Sequence, residues 1–227
     1  MTFYKTTFDS AVEYLYQTIS EKLKSGKKVL WLLTGGSGIK IEVEVSKRLN
    51  GQDLSNLSVI LTDERFPLSG GDLVNHADSN WKQIIQAGFE LKGANLMPIL
   101  EGKDVQATTN DFEEKLSTLL DMDFKIGLFG MGADGHTAGI LPGSAAASES
   151  FQLASFYETV DFIRVTMTFP AIEKLDEAVL CAFGEEKRPA LENLQKMDLP
   201  IEQQPAQILK RLPKLTIFND QIGEEKL

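Results

Sequence analysis

The residues best suited to chemistry are Asp134 and His136, set in the glycine-rich segment 130–143 (GMGADGHTAGILPG). Imidazole, with an unperturbed pKa of about 6.5, takes and returns a proton near neutral pH. Asp134 stands two residues before the histidine, placed either to orient the ring or to contact a substrate. A run this rich in glycine offers little core for a histidine to satisfy, so His136 reads as a working residue. His76, the other histidine, sits in the polar stretch NHADSN with no comparable setting. Gly130, Gly132 and Gly135 also spell G-x-G-x-x-G. That motif opens a long helix in dinucleotide-binding proteins, whereas here Leu141-Pro142-Gly143 interrupts any helix, which excludes the dinucleotide reading.

Three further segments carry candidate ligands for an anion. Thr34-Gly35-Gly36-Ser37-Gly38 can turn tightly and aim backbone N–H groups at a phosphate, or serve only as a flexible turn. It lacks the Gly-Lys-Ser/Thr ending of a P-loop, and Ile39 stands where a nucleophile elbow needs glycine. In Thr62-Asp63-Glu64-Arg65, Arg65 can grip a phosphate or carboxylate bidentately. Asp63 and Glu64 can hold that arginine or bind sugar hydroxyls; the plain alternative is a solvated strand end. Lys187 and Arg188 open a helix against its dipole, which hints at a nearby anion unless Glu185 and Glu186 simply set the favourable sign. Two distant histidines and one cysteine give no metal-ligand spacing, and Cys181, in AVLCAF, reads as core.

These segments need a scaffold, and the pattern around them predicts one. Phe8, Val12, Leu15, Ile19 and Leu23 form a helical stripe stopped by Gly26. The continuous apolar run Val29–Leu33 predicts a buried strand, and further strands are read at Leu57–Leu61 and at 124–129, 162–168, 178–183 and 215–218, with a weaker one at 96–100. Helices are expected over 40–49, 79–87, 105–120, 184–196 and 201–212. Such alternation implies a single-domain α/β fold over residues 1–227, a mainly parallel, Rossmann-like sheet with helices on both faces. In these sheets ligands bind beyond the carboxyl ends of the strands. The chemical segments all follow strands, so one rim should carry them.

Composition narrows the function further. The 227 residues are 42% hydrophobic and 25% charged, ordinary for a globular enzyme. A net charge of −10 argues against nucleic acid and obliges any anion site to gather its own cations. No apolar run approaches the ~20 residues that span a bilayer, so no membrane association is expected. The N-terminus lacks a signal-peptide pattern, and a single cysteine excludes an intramolecular disulfide framework, which together point to a cytoplasmic location.

With these motifs in hand, the chain resembles the 6-phosphogluconolactonases, within a superfamily that includes the glucosamine-6-phosphate deaminases. The resemblance runs from GGS (Gly35, Gly36, Ser37) through TDER, DSN (Asp78, Ser79, Asn80), GMGADGHTAGILPG and RVTMT (Arg164 onward) to Gly184 and Lys187. The deaminases resemble one another in Asp-Glu-Tyr and GHIAFNEPG. Here Arg65 replaces that tyrosine, Thr137 the isoleucine, and Leu141 the catalytic glutamate, all of which favours the lactonase. The resemblance implies hydrolysis of 6-phospho-D-glucono-1,5-lactone in the oxidative pentose phosphate pathway, with no cofactor and no metal. His136 would be the general base, with Asp134 or Asn80 positioning it or the sugar. Gly35, Gly36, Ser37, Asp63, Arg65, Arg164 and Lys187 would bind the substrate and its phosphate. The chain departs from the family in GGSGIK for GGSTP and in TAGILPG for TASLFPG. The alternatives are a glucosamine-6-phosphate deaminase or isomerase, and a non-catalytic sugar-phosphate sensor.

Overall fold

The computed structural model describes residues 1–68, 72–74 and 76–223. In chain order the elements are β1 (Thr2–Lys5), α1 (Phe8–Lys24), β2 (Val29–Leu33), α2 (Ile39–Leu49), β3 (Leu57–Leu61), β4 (Asp63–Pro67), α3 (Asn80–Gln86), β5 (Asn95–Leu96), α4 (Val105–Leu119), β6 (Phe124–Gly130), β7 (Ala154–Glu158), β8 (Phe162–Met167), α5 (Phe169–Ile172), β9 (Glu177–Ala182), α6 (Arg188–Lys196) and β10 (Lys214–Asn219). Short 3₁₀ turns at Gly36–Gly38, Ala146–Ser148, Glu185–Lys187 and Pro205–Arg211 complete them.

Seven strands form one parallel sheet in the order β1-β10-β9-β6-β2-β3-β5, flanked by helices. Every residue of β2, β3 and β9 is buried, as the continuous apolar runs require of strands covered on both faces. From β2 the chain steps outward to β3 and β5, then returns to the other side of β2 as β6. The strand order therefore reverses between β2 and β6, and the crevice expected at such a switch point opens between the loops that follow them. Among the described residues no helix is long and apolar enough to cross a membrane.

The structure departs from the sequence pattern in physically readable ways. Residues 162–168 do form a strand, β8, but it lies in a separate antiparallel sheet, β4-β8-β7, built over the rim of the large one. In place of the expected helix over 201–212 there is a 3₁₀ segment, Pro205–Arg211; Pro205, with no N–H to donate, stands at its start, and Gln204 before it leaves the helical region at φ −137° and ψ 87°. The expected strand 96–100 shrinks to Asn95–Leu96, since Pro98 cannot join a ladder. The helix expected over 184–196 begins with the 3₁₀ turn Glu185–Lys187.

Candidate active site

Four neighbouring strands of the large sheet, β9, β6, β2 and β3, end on the same rim, and the small sheet leans over it. Between them lies a cavity of about 180 Å³. Its lining brings together Gly35, Gly36, Ser37, Asp63, Arg65, Asn80, His136, Arg164 and Lys187. Asp134 is not part of that wall but reaches the cavity through His136, while Glu64 and Arg188, also considered from the sequence, lie outside the lining. A larger hollow, about 580 Å³ beside Tyr4, Tyr14 and Phe218, has Arg48 as its one cation, and that is paired with Glu13.

The histidine loop leaves β6 and turns at once. Asp134 Oδ1 accepts the His136 backbone N–H at 3.1 Å and meets His136 Nδ1 at 2.7 Å. A carboxylate only accepts, so Nδ1 carries the proton and Nε2 of the neutral ring is the free base. Partial burial works against ionisation of Asp134, but the His136 amide and imidazole outweigh it and hold the carboxyl below its usual range. Gly132 makes the pair possible. A Cβ there would lie 2.1 Å from His136 Nδ1 and 2.3 Å from Asp134 Oδ1.

The loop then makes a tight reversal between Thr137 and Ile140, with Ala138 at φ 49° and Gly139 at φ 74°. Positive φ is unfavourable for alanine by about 1–2 kcal/mol. Two side chains of the small sheet hold the turn: Thr166 donates its hydroxyl to the Ala138 carbonyl, and Tyr157 donates to the Gly139 carbonyl at 2.6 Å. Tyr157 escaped sequence reasoning, because nothing in ASFYE marks it apart from any half-buried strand residue.

TDER is not a solvated strand end. Asp63 and Glu64 are both buried, and each has partners. Asp63 Oδ2 accepts from Arg164 Nη1 at 2.6 Å. Glu64 accepts from the amides of Arg65, Asn80 and Trp81 at 2.7, 2.6 and 3.0 Å, and from the Ser79 hydroxyl at 3.1 Å. Burial pushes its carboxyl up to about 7 against the pull of those donors. Through them Glu64 holds the first turn of α3 and with it Asn80. Asn80 donates to the Asp63 carbonyl at 3.1 Å and packs so closely on Gly35 that a Cβ there would fall 2.4 Å from its Oδ1. His76, passed over in the sequence, braces β4, its Nε2 donating to the Arg65 carbonyl at 2.8 Å.

The cations are distributed unequally. Arg164 is compensated by Asp63. Arg65 carries no ion pair among the described residues, and the nearest carboxylate to Lys187, that of Glu186, is 3.9 Å away. Arg188 turns instead to Glu192 on its own helix at 2.9 Å, so of the two basic residues where α6 begins only Lys187 faces the cavity. In a chain of net charge −10 the cavity lining thus sets three cations, Arg65, Arg164 and Lys187, against the single carboxylate of Asp63.

Beneath the glycine loop lies a carboxyl that sequence reasoning missed. Glu42, on α2, is fully buried, and its Oε1 accepts the Thr34 amide at 2.5 Å. Burial pushes its pKa well above the usual 4.5, with the Thr34 amide opposing and the charge of Asp63 adding. A raised native pKa means that the unfolded chain loses this proton first. Stability from the neutral carboxyl is therefore complete below about pH 4.5 and declines as pH rises towards the native value. Glu42→Gln keeps the acceptor and removes this carboxyl's share of the decline. In urea unfolding at pH 5 and pH 8, the Gln variant is expected to gain on the wild type as pH rises; parallel pH dependences would show that Glu42 is not neutral in the fold. Cys181, also buried, has its thiol pKa pushed up and is no nucleophile.

Comparison with known proteins agrees with this architecture. A 6-phosphogluconolactonase of Synechocystis is 26% identical over 205 residues, covering 86% of this chain and 83% of that protein. A glucosamine-6-phosphate deaminase of Lactobacillus johnsonii is 25% identical over 231 aligned positions, covering 93% and 91%. The crystal structure of a 6-phosphogluconolactonase from Thermotoga maritima superposes with a TM-score of 0.82 at 21% identity, over 96% of this chain and 98% of that one. The model of the family described as glucosamine-6-phosphate isomerases/6-phosphogluconolactonase matches residues 5–217. The chain is an enzyme of that sugar-phosphate family.

Proposed function

We propose that this enzyme hydrolyses 6-phospho-D-glucono-1,5-lactone to 6-phosphogluconate. The observation that carries the reading is the Asp134–His136 pair. It leaves one free base, Nε2, in a cavity furnished with Arg65, Arg164 and Lys187, and Leu141 occupies the place where the deaminases carry their catalytic carboxylate. Nε2 takes a proton from water as the oxygen attacks the lactone carbonyl. The protonated ring then returns that proton to the ring oxygen as the C–O bond breaks. Asp134 stabilises the imidazolium between the two steps. A lactone is already an activated ester, so this general acid–base assistance suffices without a covalent nucleophile.

The test is a coupled assay for 6-phosphogluconate with spontaneous opening subtracted. Turnover well above background is expected. Ammonia release from glucosamine 6-phosphate in its place would assign the deaminase reaction, and binding without either turnover would make the chain a sensor. Lys187, as a phosphate ligand and not a reacting group, should contribute equally to ground and transition states. Lys187→Ala is expected to raise KM about tenfold, the low end for a charge-assisted hydrogen bond, with kcat nearly unchanged. An unaltered KM would remove Lys187 from the phosphate site.

A further inference from the structure

We propose that Phe162 is a positioning residue for phosphate recognition, its ring holding the Arg65 and Arg164 guanidiniums together so that both can grip one phosphate group. The inference rests on the reading that the cavity takes a sugar phosphate. Arg65 and Arg164 are Cα partners in the β4–β8 ladder. Like charges directly opposite one another on two strands repel, and Asp63 offsets only Arg164. The contact the two guanidiniums share is with Phe162. It lies two residues before Arg164, on the same face of β8, and its ring centroid is 4.9 Å from the Arg164 Cζ and 5.1 Å from the Arg65 Cζ.

The choice of an aromatic ring has a chemical consequence. A second carboxylate in that place would attract both arginines more strongly, but it would cancel their charge and occupy their N–H donors. The ring's negative face does neither. Accordingly the Nε atoms of Arg65 and Arg164 are both buried without a hydrogen-bond partner, although buried polar atoms are as a rule satisfied. Both side chains line the cavity, whereas Phe162 stands outside its lining and can act only through them.

The experiment compares wild type with Phe162→Leu, which keeps apolar bulk and loses the ring's charge distribution, and with Phe162→Tyr, which keeps it. Inorganic phosphate is titrated into each protein by ³¹P NMR or calorimetry, and KM and kcat are measured for the phosphorylated lactone. Two cation–π contacts of ordinary strength correspond to about tenfold in affinity. Phe162→Leu is expected to weaken phosphate binding and raise KM by about that factor, with kcat within about twofold and with Phe162→Tyr restoring both. Wild-type phosphate affinity and KM in Phe162→Leu would overturn the proposal. So would a joint fall in kcat and melting temperature that Phe162→Tyr does not repair, since that marks a merely structural role. If Phe162→Leu does not fold, Phe162→Met carries the same comparison. A wild type that binds phosphate but does not open the lactone overturns the proposed activity and leaves the phosphate comparison decisive for Phe162; a wild type that binds no phosphate overturns the inference itself.

Discussion

Replacing His136 with alanine is expected to lower kcat for lactone hydrolysis by about 10²- to 10⁴-fold while KM changes little, the loss appropriate to one general acid–base group. The geometry argues for this partition. His136 is held from one side only, through Nδ1 and its backbone amide on Asp134 Oδ1, so its removal takes away the one unengaged base in the cavity. The cations that would hold the phosphate come from other strands: Arg65 from β4, Arg164 from β8, and Lys187 from the turn after β9. They do not lean on the imidazole, and substrate affinity should survive its loss. Folding should survive as well, because the His136 side chain is 38% exposed and fills no core. The measurement is steady-state kinetics over the uncatalysed background with a parallel thermal melt. A variant with wild-type kcat would show that another group activates the water, and a large rise in KM would show that His136 binds substrate instead of turning it over.

The rim on which this chemistry depends was legible from the chain because each of its loops follows a largely apolar run. VLWLL and LSVIL could be strands buried on both faces and little else, and the polar residues beyond such strands fall at one edge of the sheet. The small sheet was hidden for the opposite reason. DERFP carries three charges and a proline, which reads as surface. Its charges are buried only because their partners arrive from afar, Arg164 from 101 residues away for Asp63 and the first turn of α3 for Glu64. No local periodicity records a partner at that distance. The same holds for Tyr157 and Thr166, whose value lies in where their hydroxyls land on the Ala138–Gly139 turn. Candidate residues could be named from type and motif, but which group aims the histidine, and which nitrogen stays free, depends on the shape of that loop. Pro205 shows the converse: a helix was expected over 201–212, and a proline within that span, with no N–H to give, begins a separate 3₁₀ segment instead of continuing a helix from 201.

The same loop supplies a substitution that should separate catalysis from folding at a position with no reactive atom. Gly132→Ala is expected to lower kcat by about 10²-fold, the order of loss that follows from displacing a catalytic group by about 1 Å. The backbone does not forbid alanine, since Gly132 is not among the glycines with positive φ. What forbids it is the added methyl, which would sit 2.1 Å from His136 Nδ1, 2.3 Å from its Cε1 and 2.3 Å from Asp134 Oδ1. All three atoms belong to the hydrogen-bonded pair, and both side chains are open to solvent at 38% and 50%. The cheapest relief is for the pair to swing outward and part, without disturbing the buried strands behind it. The melting temperature should therefore fall little while kcat collapses, and KM for the phosphorylated lactone should hold. An NMR spectrum of the imidazole would report the cause directly, because the Nδ1 proton loses its carboxylate partner. Wild-type kcat in Gly132→Ala would mean that the ring works without Asp134, and the orienting role assigned to that carboxylate would fall with it.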